Sequence, residues 1–248
     1  MNRKTAQFRF YSELNDFLAP DKCHTTFPYM FAGTPSVKDA IEAIGVPHPE
    51  VDLVLVNGNS VGFDYHLEEG DRVSVYPIFE SLDISPVVRL RPAPLRDTRF
   101  VLDGHLGSLA RRLRMLGFDT LYRRDFDDVE IIRISGAETR VILTRDVGLL
   151  KANAVTHGYW VRSQSPPEQV REVLDRFDLY SQARPFQRCI VCNGLIAPVP
   201  RAEVDAQLPE KVKELYDEFY RCAGCGKVYW KGTHYLDMMA RIRGYTER

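Results

Sequence analysis

Apolar positions change their spacing along this chain, and the changes mark out its elements. Phe8–Tyr11 and Phe27–Phe31 read as strands, and Val51–Val56 as another, closed by the tight-turn pair Asn57-Gly58. Between the second and third, Thr34-Pro35-Ser36-Val37-Lys38-Asp39 has the form of a capped helix start. Val37, Ile41 and Ile44 share one face of that helix, and Gly45 stops it. Glu69-Gly70-Asp71 is a further turn, leading into the alternating strand Arg72–Pro77. The order is strand, strand, helix, strand, strand.

A second pattern begins with the short apolar strand Arg99–Leu102, which ends at Asp103. Leu106, Leu109, Leu113 and Leu116 follow at 3-4-3 spacing, a helical stripe stopped by Gly117. Arg111, Arg112 and Arg114 lie off that stripe and are expected to be exposed. Phe118–Tyr122 reads as a strand, and Asp128–Ile134 as a helix behind the acidic cluster Asp125, Asp127, Asp128. Val141–Thr144 is a strand of the buried type, followed by a helix at Val147–Lys151, a strand at Tyr159–Arg162 and a helix at Pro167–Phe177. Such alternation implies a parallel sheet with helices on its faces. The stretch DISPVVRLRPAPLRDT, residues 83–98, carries three prolines and three arginines and reads as a linker between the two patterns.

Composition adds limits. With 248 residues, 44% of them apolar, the chain can bury an ordinary core in one or two domains. It has no run of eighteen apolar residues and no apolar signal core after its first basic residues, so it is expected to be cytoplasmic and not to span a membrane. The net charge of −1 conceals an asymmetry: residues 1–83 hold 6 Lys/Arg against 13 Asp/Glu, a balance of −7, which leaves +6 for the rest. Residues 84–124 account for that excess with nine arginines against three acids. One half therefore has the charge to meet a polyanion.

Four of the five cysteines form two Cys-x-x-Cys pairs, Cys189/Cys192 and Cys222/Cys225. In a reducing compartment that spacing signals one tetrahedral, structural zinc ion held by four thiolates, with no open position for water. The segment between the pairs is expected to include a helix at Pro209–Phe219. Beyond them, Val228-Tyr229-Trp230-Lys231-Gly232-Thr233-His234 mixes aromatic and basic groups. Trp230 can stack on an unpaired base and His234 can contact a phosphate, or Trp230 can pack the ribbon onto its neighbour. Asp103 and Asp146 each follow a strand of the expected parallel sheet, at the end where such sheets bind ligands. Asp128 and Glu130 open the intervening helix and can face the same crevice. Carboxylates converging there call for a divalent cation, magnesium or manganese, although Asp103, Asp128 and Asp146 each also precede a helix, where Asp is a favoured cap.

The run FVLDGHLGSLARRLRMLGFDTLY, then DDVEII, then RVILTRD, the paired cysteines and YWKGTH resembles the Mut-seven C-terminal RNase family over residues 98–243. The phrase VNGNSVGFDYHLEEGDRVSVYPIF resembles the ubiquitin-like β-grasp of sulfur-carrier proteins, although no Gly-Gly follows it for activation. The resemblance implies a PIN-like α/β nuclease domain (99–182) with a zinc ribbon and C-terminal segment (183–248), behind a ubiquitin-like β-grasp domain (1–82) and the linker. It implies metal-dependent hydrolysis of RNA, with Asp103, Asp128 and Asp146 as metal-binding catalytic carboxylates and Glu130 as a fourth. Arg111, Arg112, Arg114, Trp230 and His234 are the expected RNA contacts, and the ubiquitin-like domain the expected site for a protein partner. The rival readings are an RNA- or ribosome-binding protein without catalysis, and an interaction module of a sulfur-transfer or RNA-modification pathway.

Overall fold

The computed structural model describes residues 3–77 and 98–247, so all but the last residue of the linker expected at 83–98 lies outside the described residues. Two compact units are distinguished. One comprises the chain up to Arg96 together with Asp146–Trp160; the other comprises Asp97–Arg145 together with Val161–Arg248.

In the first unit, β1 (Lys4–Phe10), β2 (Phe27–Phe31), α1 (Val37–Ile44), β3 (Val51–Val56), β4 (Asn59–Ser60) and β5 (Arg72–Pro77) follow one another. They form a five-stranded sheet in the order β2-β1-β5-β3-β4. The two central strands β1 and β5 run parallel, and each hairpin partner runs antiparallel. Alternate residues of β1 point inward, so Phe8 and Phe10 are buried against Ile41 and Leu67. Ser36 and Asp39 close a capping box at the start of α1, the hydroxyl accepting from Asp39 N at 3.1 Å and the carboxylate from Ser36 N at 3.3 Å. Asn57 and Gly58 both take positive φ, 52° and 87°, as a two-residue hairpin turn requires. This is a ubiquitin-like β-grasp, as the strand order anticipates.

The second unit opens with β6 (Phe100–Leu102), α2 (Gly107–Met115), β7 (Thr120–Tyr122), α3 (Asp128–Glu138) and β8 (Val141–Thr144). β6 lies between β7 and β8 and pairs in parallel with both. All three residues of β6 are buried, as are all four of β8, the sign of strands covered on both faces. The leucine stripe of α2 is buried throughout. Gly117 ends the helix at φ +96°, and a Cβ there would stand 2.0 Å from the Arg184 carbonyl oxygen. The helix α4 (Val147–Leu150) and strand β9 (Gly158–Trp160) are grouped with the first unit.

The chain then returns to the second unit through α5 (Pro166–Arg176), which starts on two prolines. Next come β10 (Ile196–Val199), α6 (Arg201–Val204), α7 (Glu210–Leu215), β11 (Phe219–Cys222), β12 (Val228–Tyr229) and α8 (Thr233–Thr246). β10, β11 and β12 form an antiparallel ribbon over a small core of Val204, Leu208 and Phe219, against which Tyr216 and Trp230 pack. The helix expected over Pro209–Phe219 is shorter than its sequence suggests. It ends at Leu215, and Phe219 instead begins β11, paired with Val199. The fourteen-residue α8 is an element that the reading of 228–234 as a surface motif passes over. It is tied to the helical layer by two bonds: Arg112 donates to the Tyr245 hydroxyl at 3.0 Å, and Arg171 to Gly244 O at 3.0 Å.

Candidate functional site

Asp103 leaves the carboxyl end of the central strand β6, and its two oxygens have different partners. Oδ1 accepts from His105 N at 3.3 Å, capping a short 3-10 turn, while Oδ2 accepts from the Thr144 hydroxyl at 2.9 Å. Thr144 is the last residue of the neighbouring strand β8 and is itself buried. The side chain is thus held by the sheet on one side and the following turn on the other. Each carboxylate oxygen has about two acceptor sites, so neither hydrogen bond exhausts it. His105 itself is exposed.

The other acids occupy helix starts. Asp146 caps α4, accepting from Gly148 N at 2.7 Å. Asp127, rather than Asp128, caps α3 by accepting from Glu130 N at 2.8 Å, and Asp128 is the first helical residue, exposed to solvent. Glu130 lies in a two-point pair with Arg133, both contacts at 2.9 Å. That pairing lowers the Glu130 carboxyl from its ordinary value. Among the described residues no group of three or more carboxylates brings its oxygens within 4.8 Å of one another.

The three arginines of α2 separate. Arg111 is exposed, as expected. Arg112 is half-buried and donates to Tyr245 and to Ser108. Arg114, expected on the surface, is only 3% exposed. Its guanidinium donates to Thr120 O at 2.9 Å, Val191 O at 2.8 Å and Ile190 O at 3.4 Å. The last two carbonyls lie inside the first Cys-x-x-Cys pair. Arg114 therefore fastens α2 to that loop, because a planar fork of donors suits several carbonyls at once. Burial lowers its guanidinium from the ordinary value, and Cys189 and Cys192 oppose that shift.

Cys189, Cys192, Cys222 and Cys225 bring their four sulfurs within 4.8 Å of one another, all as free thiols. Cys189 and Cys225 stand 3.7 Å apart, and Cys192 and Cys222 3.3 Å. A tetrahedron with metal–sulfur bonds of about 2.3 Å has edges of about 3.8 Å, so the cluster is of the size that holds a metal such as zinc. Two glycines permit the approach: a Cβ at Gly194 would stand 2.9 Å from Cys222 Sγ, and one at Gly224 3.2 Å from Cys192 Sγ. Gly194 N and Gly224 N point at Cys192 and Cys222, and the Tyr229 hydroxyl lies 3.0 Å from Cys189. Burial raises the Cys189 thiol, but the Tyr229 hydroxyl and the backbone N–H groups of the loop outweigh it and bring the thiol down to about 6. At Cys192 burial prevails, reinforced by the neighbouring thiols, and the group is pushed up to about 12. Four thiols this close cannot all ionise without a cation among them.

A charged network, absent from the sequence reading, links this cluster to the parallel sheet. Asp119 accepts from Arg140 at 2.8 Å and from Asn193 at 2.7 Å, and pairs with Arg188 at 3.1 Å. Asn193 follows Cys192 directly, and its side-chain oxygen accepts from Thr120 N at 3.0 Å. Burial raises the Asp119 carboxyl, yet its partners outweigh that and hold it below its ordinary value. Trp230 and His234 line a groove of about 630 Å³ between the ribbon and α8, with Tyr229, Lys227, Lys211 and Arg241 also on its walls. The arginines of α2 are not part of that lining.

The family model described as Mut7-C RNAse domain matches residues 98–242, and the model described as Mut7-C ubiquitin matches residues 3–83. No curated protein matches. No solved structure matches either. Among the described residues no helix is long and apolar enough to cross a membrane.

Proposed function

Because the chain belongs to the Mut7-C RNAse domain family, whose model covers more than half of it, we propose that it hydrolyses RNA phosphodiester bonds with a divalent metal ion. The observation that carries this reading is Asp103, a carboxylate at the carboxyl end of the central parallel strand, with both oxygens oriented by the fold. Asp103, Asp128 and Asp146 hold magnesium or manganese in this reading, with Glu130 as a fourth ligand once released from Arg133. Carboxylate oxygens are the hard donors these ions prefer. When bound, such an ion supplies charge against that developing during in-line displacement and acidifies a water. Arg111 offers its exposed charge to the RNA backbone, and zinc at the four cysteines is structural, since four thiolates complete its shell. The working division is a ubiquitin-like domain (1–82), a linker (83–98), a nuclease domain (99–182) and a ribbon with its C-terminal segment (183–248), in a cytoplasmic protein.

The test is cleavage of labelled single-stranded and structured RNA with magnesium or manganese, comparing wild type with Asp103→Asn and Asp146→Asn after both are shown to fold and retain zinc. Loss of cleavage in both variants is the expected result. Equal cutting by the variants, or no cutting by wild type, removes the catalytic reading.

The groove beside Trp230 favours a second reading, in which RNA is bound without being cut. Its lysines, Arg241 and His234, set against the single acid Asp237, suit a polyanion, and its aromatic rings offer stacking surfaces. That reading predicts salt-sensitive RNA affinity that survives loss of the carboxylates.

A further inference from the structure

The first unit joins the ubiquitin-like fold to fifteen residues far along the chain, Asp146–Trp160, and the join is made by buried polar groups. Glu50 is 0% exposed, and its Oε1 accepts from Trp160 N at 2.6 Å. His48, 8% exposed, places Nε2 at 2.8 Å from Val155 O. A carbonyl only accepts, so Nε2 donates to it, and Nδ1 meets the Glu42 carboxylate at 2.6 Å across a proton that one of those two groups supplies. Lys151 Nζ donates at 2.9 Å to Glu42 O in the last turn of α1, where a helix favours a cation. Lys38 reaches Asn153 at 2.9 Å, and the rings of Phe17 and Trp160 lie 5.0 Å apart.

Burying a carboxylate and an imidazole is costly unless each finds a partner. Here Trp160 N meets one oxygen of Glu50, and His48 lies between Val155 O and the Glu42 carboxylate. The α1–β3 side of the ubiquitin-like fold is therefore complete only with this segment in place. The segment starts at Asp146, whose side chain caps α4, and the contacts hold it from Lys151, just after α4, to Trp160 in β9.

We propose that the ubiquitin-like module acts as an internal brace, with Glu50 and His48 as positioning residues that hold the segment presenting Asp146. Its role in metal binding rests on the reading of Asp146 as a ligand; the brace itself does not. The module's α1–β3 surface takes its partner from its own chain, which gives a reason for the fusion that needs no activated C-terminus.

The experiment uses the full chain with two readouts, amide hydrogen exchange across 147–160 and Mn²⁺ binding followed by electron paramagnetic resonance. Glu50→Ala removes the acceptor of Trp160 N, and exchange across 147–160 is expected to rise at least about tenfold, while ribbon amides such as Cys222 N stay unchanged. Mn²⁺ affinity is expected to fall about tenfold or more, and Glu50→Gln, which keeps an acceptor oxygen, is expected to restore both. Lys38→Ala, at an exposed contact, gives a milder rise in the same amides if Glu50→Ala does not fold. Unchanged exchange across 147–160 in both alanine variants overturns the brace. Raised exchange with unaltered Mn²⁺ affinity overturns the positioning of Asp146. If wild type binds no Mn²⁺, the metal-site reading falls, and exchange alone still decides the brace.

Discussion

Arg114 separates a basic face from a structural clamp, and replacing it distinguishes the two. Arg114→Met keeps the apolar stem but removes two well-formed hydrogen bonds, to Thr120 O and Val191 O, and the longer one to Ile190 O. Hydrogen bonds from a charged donor contribute about 1.5–3 kcal/mol each. Relief from burying a cation offsets part of that loss, and the net cost is about 3 kcal/mol. For a domain of this size each kcal/mol lowers the melting temperature by about 2–4 °C, so a fall of about 6–12 °C is expected.

The assay is thermal unfolding followed by zinc release to a chromogenic chelator, since the lost bonds fasten the first cysteine loop. Arg111→Ala, at an exposed position, is expected within about 0.5 kcal/mol of wild type. Its RNA affinity should fall and the slope of log affinity against log salt should drop by about one, whereas folded Arg114→Met should keep the wild-type slope. Arg114→Lys tests geometry against charge, because an ammonium cannot span three carbonyls. A melting temperature within a degree of wild type, with RNA binding as weak as in Arg111→Ala, would refute the clamp.

Three further outcomes follow from the second unit. Stripping the metal in a Trp160→Phe background, which leaves Trp230 as the reporter, should red-shift its fluorescence as the small ribbon core opens; an unchanged spectrum after verified metal loss contradicts the folding role of the cluster. Asp119 has a folded value held below its ordinary 3.8. Its contribution is therefore fully present above that pH and is lost as pH falls through the lower folded value. Urea midpoints should fall more steeply below pH 3.8 in wild type than in Asp119→Asn, and parallel profiles would remove Asp119 from the account. Gly117→Ala combines a left-handed backbone with a Cβ 2.0 Å from Arg184 O, and should cost about 3 kcal/mol or more, or at least about 6 °C by calorimetry; a neutral substitution means that the 184–186 loop yields freely.

Where an element's identity depends on its own residues, the sequence was legible. Strands β1 and β5 carry period-2 burial, α1 carries its capping box, and the Asn57-Gly58 turn needs only its own φ angles. The leucine stripe of α2 likewise predicts its inward face. The two misreadings have separate causes. Phe219 extends a helical pattern until Val199, twenty residues earlier, claims it as a strand partner. α8 carries Tyr235, Met238, Ile242 and Tyr245 at 3-4-3 spacing, a local signal that begins directly behind the aromatic and basic run 228–234 and overlaps its end.

For charged residues the difficulty goes deeper. A helical stripe tells which side of α2 faces the sheet, but not that a cysteine loop 76 residues on will cover the opposite side and turn Arg114 inward. Glu50 and His48 look like surface residues of a small acidic domain until residues 155 and 160 supply their partners. Asp119, Arg140, Arg188 and Asn193 show the same in one network: each is ordinary in its local context, and together they bind the cysteine cluster to the sheet. Periodicity reports what leaves water because it is apolar. A polar group leaves water only where another segment satisfies it, so its place is set by long-range partners. The clamp at Arg114 and the brace proposed at Glu50 both rest on buried charges of this kind, and so removing their charge tests the architecture more sharply than removing another leucine.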